Sequence, residues 1–94
     1  MAITKASSDD EAIKLANMSF YGLAATLYCN DVSRAHRYAR KLKAGTVGVN
    51  NYSEGEISTP FGGHKASGFG GRDNGVHAHE QYTEFKTIWF DLTA

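Results

Sequence analysis

The chain has 94 residues, with ten basic and ten acidic side chains, one cysteine and a single proline. A formal net charge of zero removes the whole-chain attraction expected of a nucleic-acid or anionic-membrane binder, and the longest apolar run, Gly22 to Cys29, is far short of the ~20 residues that cross a bilayer. These features predict a soluble, cytoplasmic single domain that buries only about 60–65 % of its unfolded surface, with a lone Cys29 that has no partner for an internal disulfide.

In chain order, "MAITKA" reads as a short strand ending at Ser7-Ser8. Ser8, followed three residues later by Glu11, is a capping box and predicts a helix start. Ala12, Ile13, Leu15 and Ala16 would share one side of that helix, and Gly22 would turn the chain out of it. "LAATLYC" is a buried strand bounded by Asn30-Asp31, either of which caps the next helix. There Val32, Ala35, Ala39 and Leu42 form one apolar stripe, basic residues occupy the other sides, and Gly45 is the expected stop. "TVGVN" is a third strand, with parallel pairing and right-handed helical crossovers. "VHAHEQY" predicts one helical turn. "TEFKTIWF" predicts a terminal strand that is apolar on both faces and needs a partner from another chain.

Between the third and last strands, "STPFGGHKASGFGGRDNG", residues 58–75, holds six of the ten glycines and the proline. No Gly-Lys pair is present, so it is not a Walker loop, and "GFGGRD" ends in Asp73 where GxGxxG needs glycine. The remaining reading is a shaped turn in which the 62-63 and 70-71 pairs permit positive φ and close backbone approach. Cys29 ends a strand with no basic neighbour or helix start to lower its pKa, which suits an inert packed thiol rather than a nucleophile served by His36, His64, His77 or His79. His77 and His79 stand two apart, and no Cys or His pair completes a zinc set, so no metal is expected. The basic helix from Arg34 to Lys43 has one interleaved aromatic, Tyr38, and reads as a solvated face. Glu54 and Glu56 are either ordinary loop acids or two carboxylates that attract a cationic substrate group.

Taken in order, "YGLAA", "AGTVGVN", "PFGGHKASGFG" and "YTEFK" resemble the C-terminal part of an NAD(P)-dependent aldehyde dehydrogenase, from about Ile3 to Leu92. The loop "NNYSEGEISTPFGG" and the "GGRD" ending are most similar to the bacterial aminoaldehyde branch, such as γ-glutamyl-aminobutyraldehyde or betaine aldehyde dehydrogenases. The resemblance implies an α/β fold, part of an open, mostly parallel sheet with flanking helices plus a terminal oligomerisation strand. Residues 1–82 would be catalytic-domain and 83–94 the strand and tail. It implies that residues 51–59 form a loop beside the substrate tunnel, with Glu54 and Glu56 there, that Phe61 lines the aldehyde pocket, and that Phe85, Thr87, Ile88, Trp89 and Phe90 make oligomer contacts. His64, where a larger aromatic is common, and the doubled Gly70-Gly71 depart from the family pattern. The family's nucleophilic cysteine, general-base glutamate and cofactor domain would precede residue 1. The fragment alone is therefore expected to be inactive, to hold no NAD(P), and to associate with itself or with intact aldehyde dehydrogenase subunits. The alternative is a stand-alone, self-associating or subunit-docking module without catalysis.

Overall fold

The computed structural model describes residues 1–52 and 55–93. Helix α1 (Asp9–Ala16) is followed by β1 (Tyr21–Gly22), β2 (Ala24–Leu27), α2 (Val32–Lys41), β3 (Thr46–Val49), β4 (His64–Lys65) and α3 (His77–Glu80). The start of α1 lies where the capping residues put it, since Ser8 Oγ accepts from the Glu11 N–H at 3.2 Å. The second half of the box is displaced by one residue. The Glu11 carboxylate accepts from the Ser7 N–H at 2.6 Å and from the Ser7 hydroxyl, and that hydroxyl holds its pKa below the usual glutamate value. Residues 1–6 are not a strand, because no neighbouring segment offers them a ladder and their backbone groups are left to water.

β2 and β3 pair in parallel, in register from Ala24↔Thr46 to Leu27↔Val49, with α2 as the crossover between them. Asp31 takes the cap of α2, accepting from the Arg34 N–H at 2.7 Å. Of the expected stripe, Ala35 is buried and Ala39 and Leu42 are half-buried, whereas Val32 is exposed. Tyr38 completes the buried face of α2. The helix ends at Lys41, before the expected glycine, on Leu42 in extended geometry. β2 is at most half-buried rather than fully covered. A second, antiparallel pair joins β1 to β4, with Tyr21 opposite Lys65 and Gly22 opposite His64.

Polar contacts hold α1 to α2. The Arg34 guanidinium bridges both oxygens of Asp9, with Nε to Oδ2 at 2.7 Å, and Lys41 reaches Asp10 at 3.2 Å. At the far end, the Asn17 side chain donates to the Lys41 carbonyl and accepts from the Lys43 N–H, both at 2.8 Å. α1 itself buries no residue. Just beyond it, the carbonyls of the C-cap residue Asn17 and of Ser19 take the Lys65 ammonium at 3.2 and 2.7 Å, a cation placed near the negative end of the helix.

Ala35 at 6 % and Tyr38 at 9 % exposure are the buried apolar side chains of the described residues. The accessible surface is 8120 Å², against about 5,300 Å² for a compact monomer of this mass. The radius of gyration is 18.8 Å, against about 12 Å for a compact domain of this length. Much of the excess belongs to the terminal segment. Residues 83–90 form no strand, and Phe85, Ile88, Trp89 and Phe90 are open to solvent, with Phe85 at 107 % and Trp89 at 89 %. The expected strand is absent for the same reason as the first, because a strand needs a ladder partner and the described residues supply none.

The Asp9–Arg34 pair has a checkable pH dependence. Arg34, chiefly through its hydrogen bonds, holds Asp9 below the usual 3.8. A carboxyl depressed in the folded chain stabilises it above the ordinary aspartate value, and that contribution is lost as pH falls through the lowered one. An NMR titration of the Asp9 side chain should therefore give a midpoint below that of the same residue in Arg34→Ala.

Candidate functional site

The glycine-rich segment folds as a pinned turn. Phe61 and Asp73 exchange both backbone hydrogen bonds at 2.7 Å, and the Gly75 N–H donates to the Ile57 carbonyl at 2.8 Å, so the two ends of the turn lie side by side. Its tip is tied to β1. The buried Gly22 N–H donates to Ser67 Oγ at 3.0 Å, and the Ala66 N–H donates to the Phe20 carbonyl at 3.0 Å. Arg72 crosses the middle, with Nη1 donating to the Gly71 and Gly63 carbonyls at 2.8 and 3.4 Å. From α3, Gln81 Nε2 donates to Asp73 Oδ1 at 2.9 Å and to the Arg72 carbonyl.

The glycines serve close approach more than unusual dihedrals. Gly70 takes φ 118, but the 62-63 pair does not enter the left-handed region, contrary to the expectation for both pairs. Instead a Cβ on Gly62 would lie 2.5 Å from the Gly71 carbonyl oxygen, and one on Gly63 would lie 2.5 Å from Ser67. The same holds for Gly45, where a Cβ would fall 1.6 Å from the Gly62 carbonyl oxygen, so this glycine marks a backbone crossing and not a helix stop. The space beside these glycines is filled by the turn's own backbone, and the Arg72 guanidinium is spent on carbonyls. The segment is a shaped turn.

Phe61 is half-buried at the entrance of this turn. Glu56 lies five residues before it, exposed, its carboxylate accepting from the Ser58 hydroxyl at 3.0 Å, while the Glu56 carbonyl accepts from the Thr59 N–H and hydroxyl at 2.8 and 2.6 Å. Glu54 lies outside the described residues. Cys29 is half-buried, its thiol donating to the Asp31 carbonyl at 3.4 Å, and it lines a cavity of about 190 Å³ with His36, Ala35, Val32, Val49 and Asn50. His77 Nδ1 stands 3.5 Å from Glu80, and among the described residues no three His, Cys, Asp or Glu side chains gather as a metal set. None of the described helices is long and apolar enough to cross a membrane.

The residues that build the frame were not singled out from the sequence. Asn17, Asn50, Ser67 and Lys65 each bond a distant backbone group. The signal available for Asn50 was its place directly after a strand, where asparagine tolerates a left-handed turn. For Ser67 and Lys65 there was none beyond the motif that contains them.

Together these elements make a mixed α/β segment: a parallel strand pair with a helical crossover, a second antiparallel pair and a glycine-rich turn. The profile of the aldehyde dehydrogenase family matches residues 1–88, and the chain belongs to that family. It is 52 % identical over 94 residues to the NADP/NAD-dependent aldehyde dehydrogenase PuuC of Escherichia coli, covering all of this chain and 19 % of that protein. Aminoacetaldehyde dehydrogenase of Pseudomonas aeruginosa is 55 % identical over 93 residues, covering 99 % of this chain and 19 % of that protein. An aldehyde dehydrogenase of Bacillus cereus, solved in complex with NAD+, superposes with a TM-score of 0.83 at 45 % identity, over 90 % of this chain and 17 % of its own. The chain thus spans about one fifth of the length of its relatives.

Two substitutions check the frame. Gly45→Ala should prevent the crossing at Gly62 and remove the ordered turn, seen as loss of dispersed amide signals from residues 61–75. Ser67→Ala leaves the buried Gly22 N–H without its acceptor and should lower the unfolding free energy by about 1–3 kcal/mol.

Proposed function

We propose that this chain is a C-terminal portion of an enzyme that oxidises an aldehyde, in particular an aminoaldehyde, to the carboxylate with NAD(P). Residues 1–82 would belong to the end of the catalytic domain's open parallel sheet and 83–94 to an oligomerisation strand. The observation that carries this reading is the family match over residues 1–88 together with the retained fold, a TM-score of 0.83 to a relative solved with NAD+. The relatives named for aminoacetaldehyde and for NADP or NAD point to the substrate class and cofactor.

In this role the chain supplies walls and contacts. Phe61 presents an apolar face to the aldehyde's carbon chain, and Glu54 and Glu56 favour a cationic amino group at the tunnel mouth by simple charge attraction. None of the three takes part in the bond changes. When bound, NAD(P) accepts the hydride, and water supplies the second carboxylate oxygen. Cys29, whose thiol donates to the Asp31 carbonyl, is assigned no part in the chemistry on this reading. The exposed row of Phe85, Thr87, Ile88, Trp89 and Phe90 completes a sheet with further strands of the assembled enzyme.

The same exposed row favours a second reading, a module that self-associates or docks on an intact subunit without catalysis. Sedimentation separates this from an inert monomer, because a chain that stays monomeric at high concentration with Trp89 shielded has no unpaired strand to offer.

The decisive experiment places this chain in the Escherichia coli relative in exchange for the fifth it matches. The chimera should oxidise aminoaldehydes with NAD(P), Cys29→Ser should leave the rate unchanged, and Phe61→Ala should raise the aldehyde KM by about tenfold, the scale of one lost apolar contact. The isolated chain should produce no NADH. A folded, assembled chimera without turnover, or turnover by the isolated chain that requires Cys29, overturns the assignment.

A further inference from the structure

We propose that Gln81 is a positioning residue for Phe61, acting through the peptide group between residues 72 and 73, and that position 71 is glycine in order to admit it. The Phe61 N–H donates to the Asp73 carbonyl and the Asp73 N–H to the Phe61 carbonyl, both at 2.7 Å. The Asp73 N–H belongs to the same planar peptide group as the Arg72 carbonyl, and in a trans peptide the two point in opposite directions. That carbonyl accepts from Gln81 Nε2, and the same nitrogen donates to Asp73 Oδ1 at 2.9 Å. Phe61 and Gln81 therefore grip one rigid plane from its two edges.

A plane held at both edges resists rotation, and hydrogen bonds in series through one amide polarise each other. The Arg72 guanidinium fastens the flanking Gly63 and Gly71 carbonyls, so Gln81 is the side chain that acts on the peptide facing Phe61. It reaches that peptide as the C-cap of α3, which carries it back over the turn. The doubled glycine that departs from the family pattern then divides into two functions. Gly70 takes φ 118 and a Cβ there would meet nothing within 4 Å, so its dihedral requires glycine. Gly71 is outside the left-handed region, but a Cβ on it would lie 2.6 Å from Gln81 Oε1. A side chain at 71 would displace the amide of Gln81 rather than the main chain.

The inference rests on the pocket reading given above, and its test separates the two. In the chimera, Gln81→Ala removes both amide bonds, and Gly71→Ala pushes the amide away while leaving Gln81 in place. Each should speed hydrogen exchange at the Phe61 and Asp73 amides. Each should also raise the aldehyde KM by up to about tenfold, with kcat and the NAD(P) KM within about twofold, because only substrate positioning is disturbed. In the double variant Gly71→Ala should add nothing to Gln81→Ala, since the atom it would strike is gone. Unchanged exchange in Gln81→Ala overturns the brace, and full additivity overturns the link between Gly71 and Gln81. Faster exchange with an unchanged aldehyde KM, while Phe61→Ala still raises it, overturns the positioning role and leaves the pocket standing. If neither Gln81→Ala nor Phe61→Ala moves that KM, the pocket reading fails and the inference goes with it.

Discussion

Hydrogen bonds to backbone groups, rather than a closed apolar core, are the constraint on which this structure depends. With Ala35 and Tyr38 the buried apolar side chains of the described residues, hydrophobic burial does little to choose one arrangement of the elements over another. The choice is made by a few polar side chains that reach across long sequence separations. Asn17 joins the ends of α1 and α2, and Lys65 brings the turn to the end of α1. Ser67 ties the same turn to β1. These bonds are directional, so they set geometry more sharply than they add stability.

Such a design suits a segment whose apolar faces meet other parts of an aldehyde dehydrogenase. Met18, Phe20, Tyr21, Tyr28 and Val32 are exposed around the same frame, and exposed area of this extent is characteristic of surface that is covered in an assembly. The retained similarity to solved family members fits a segment whose shape is set by its local polar contacts. The turn is then a rigid bracket on which Phe61 is mounted. Its glycines are required by backbone crossings, and the cation within it, Arg72, is internal scaffolding.

How much of this was legible in the sequence depended on the range of the interaction. The helix starts were readable because Ser8 and Asp31 act on backbone three residues away. The parallel pair was readable because its strands are short apolar runs separated by a helix. The close backbone approaches of the glycine turn were readable because paired glycines permit them, as Gly62 and Gly63 do here. The two outer strands were expected from composition, but a strand exists only with a partner, and apolar alternation at "MAITKA" and "TEFKTIWF" carries no information about whether a partner is within the chain. Gly45 was misread as a helix stop because local rules cannot see a backbone crossing with Gly62. Asn17, Asn50, Ser67 and Lys65 escaped for the same reason, since each bonds a group 21 or more residues distant. For the candidate pocket, Phe61 came from the family resemblance alone, whereas Glu54 and Glu56 stood out first as two nearby loop carboxylates and were then placed beside the tunnel by the resemblance.

The crossing of Gly45 under Gly62 separates two kinds of evolutionary freedom. Backbone-to-backbone contact leaves no room for a side chain, so the frame on either side is closed to ordinary substitution. The stretch between Asn50 and Phe61 is held instead at its ends, by the Asn50 bonds to Leu27 and Cys29 and by the Phe61–Asp73 pair. With that loop beside the substrate tunnel, as proposed above, a lineage could retune which small molecules are admitted by rewriting it while the scaffold beneath stays the same.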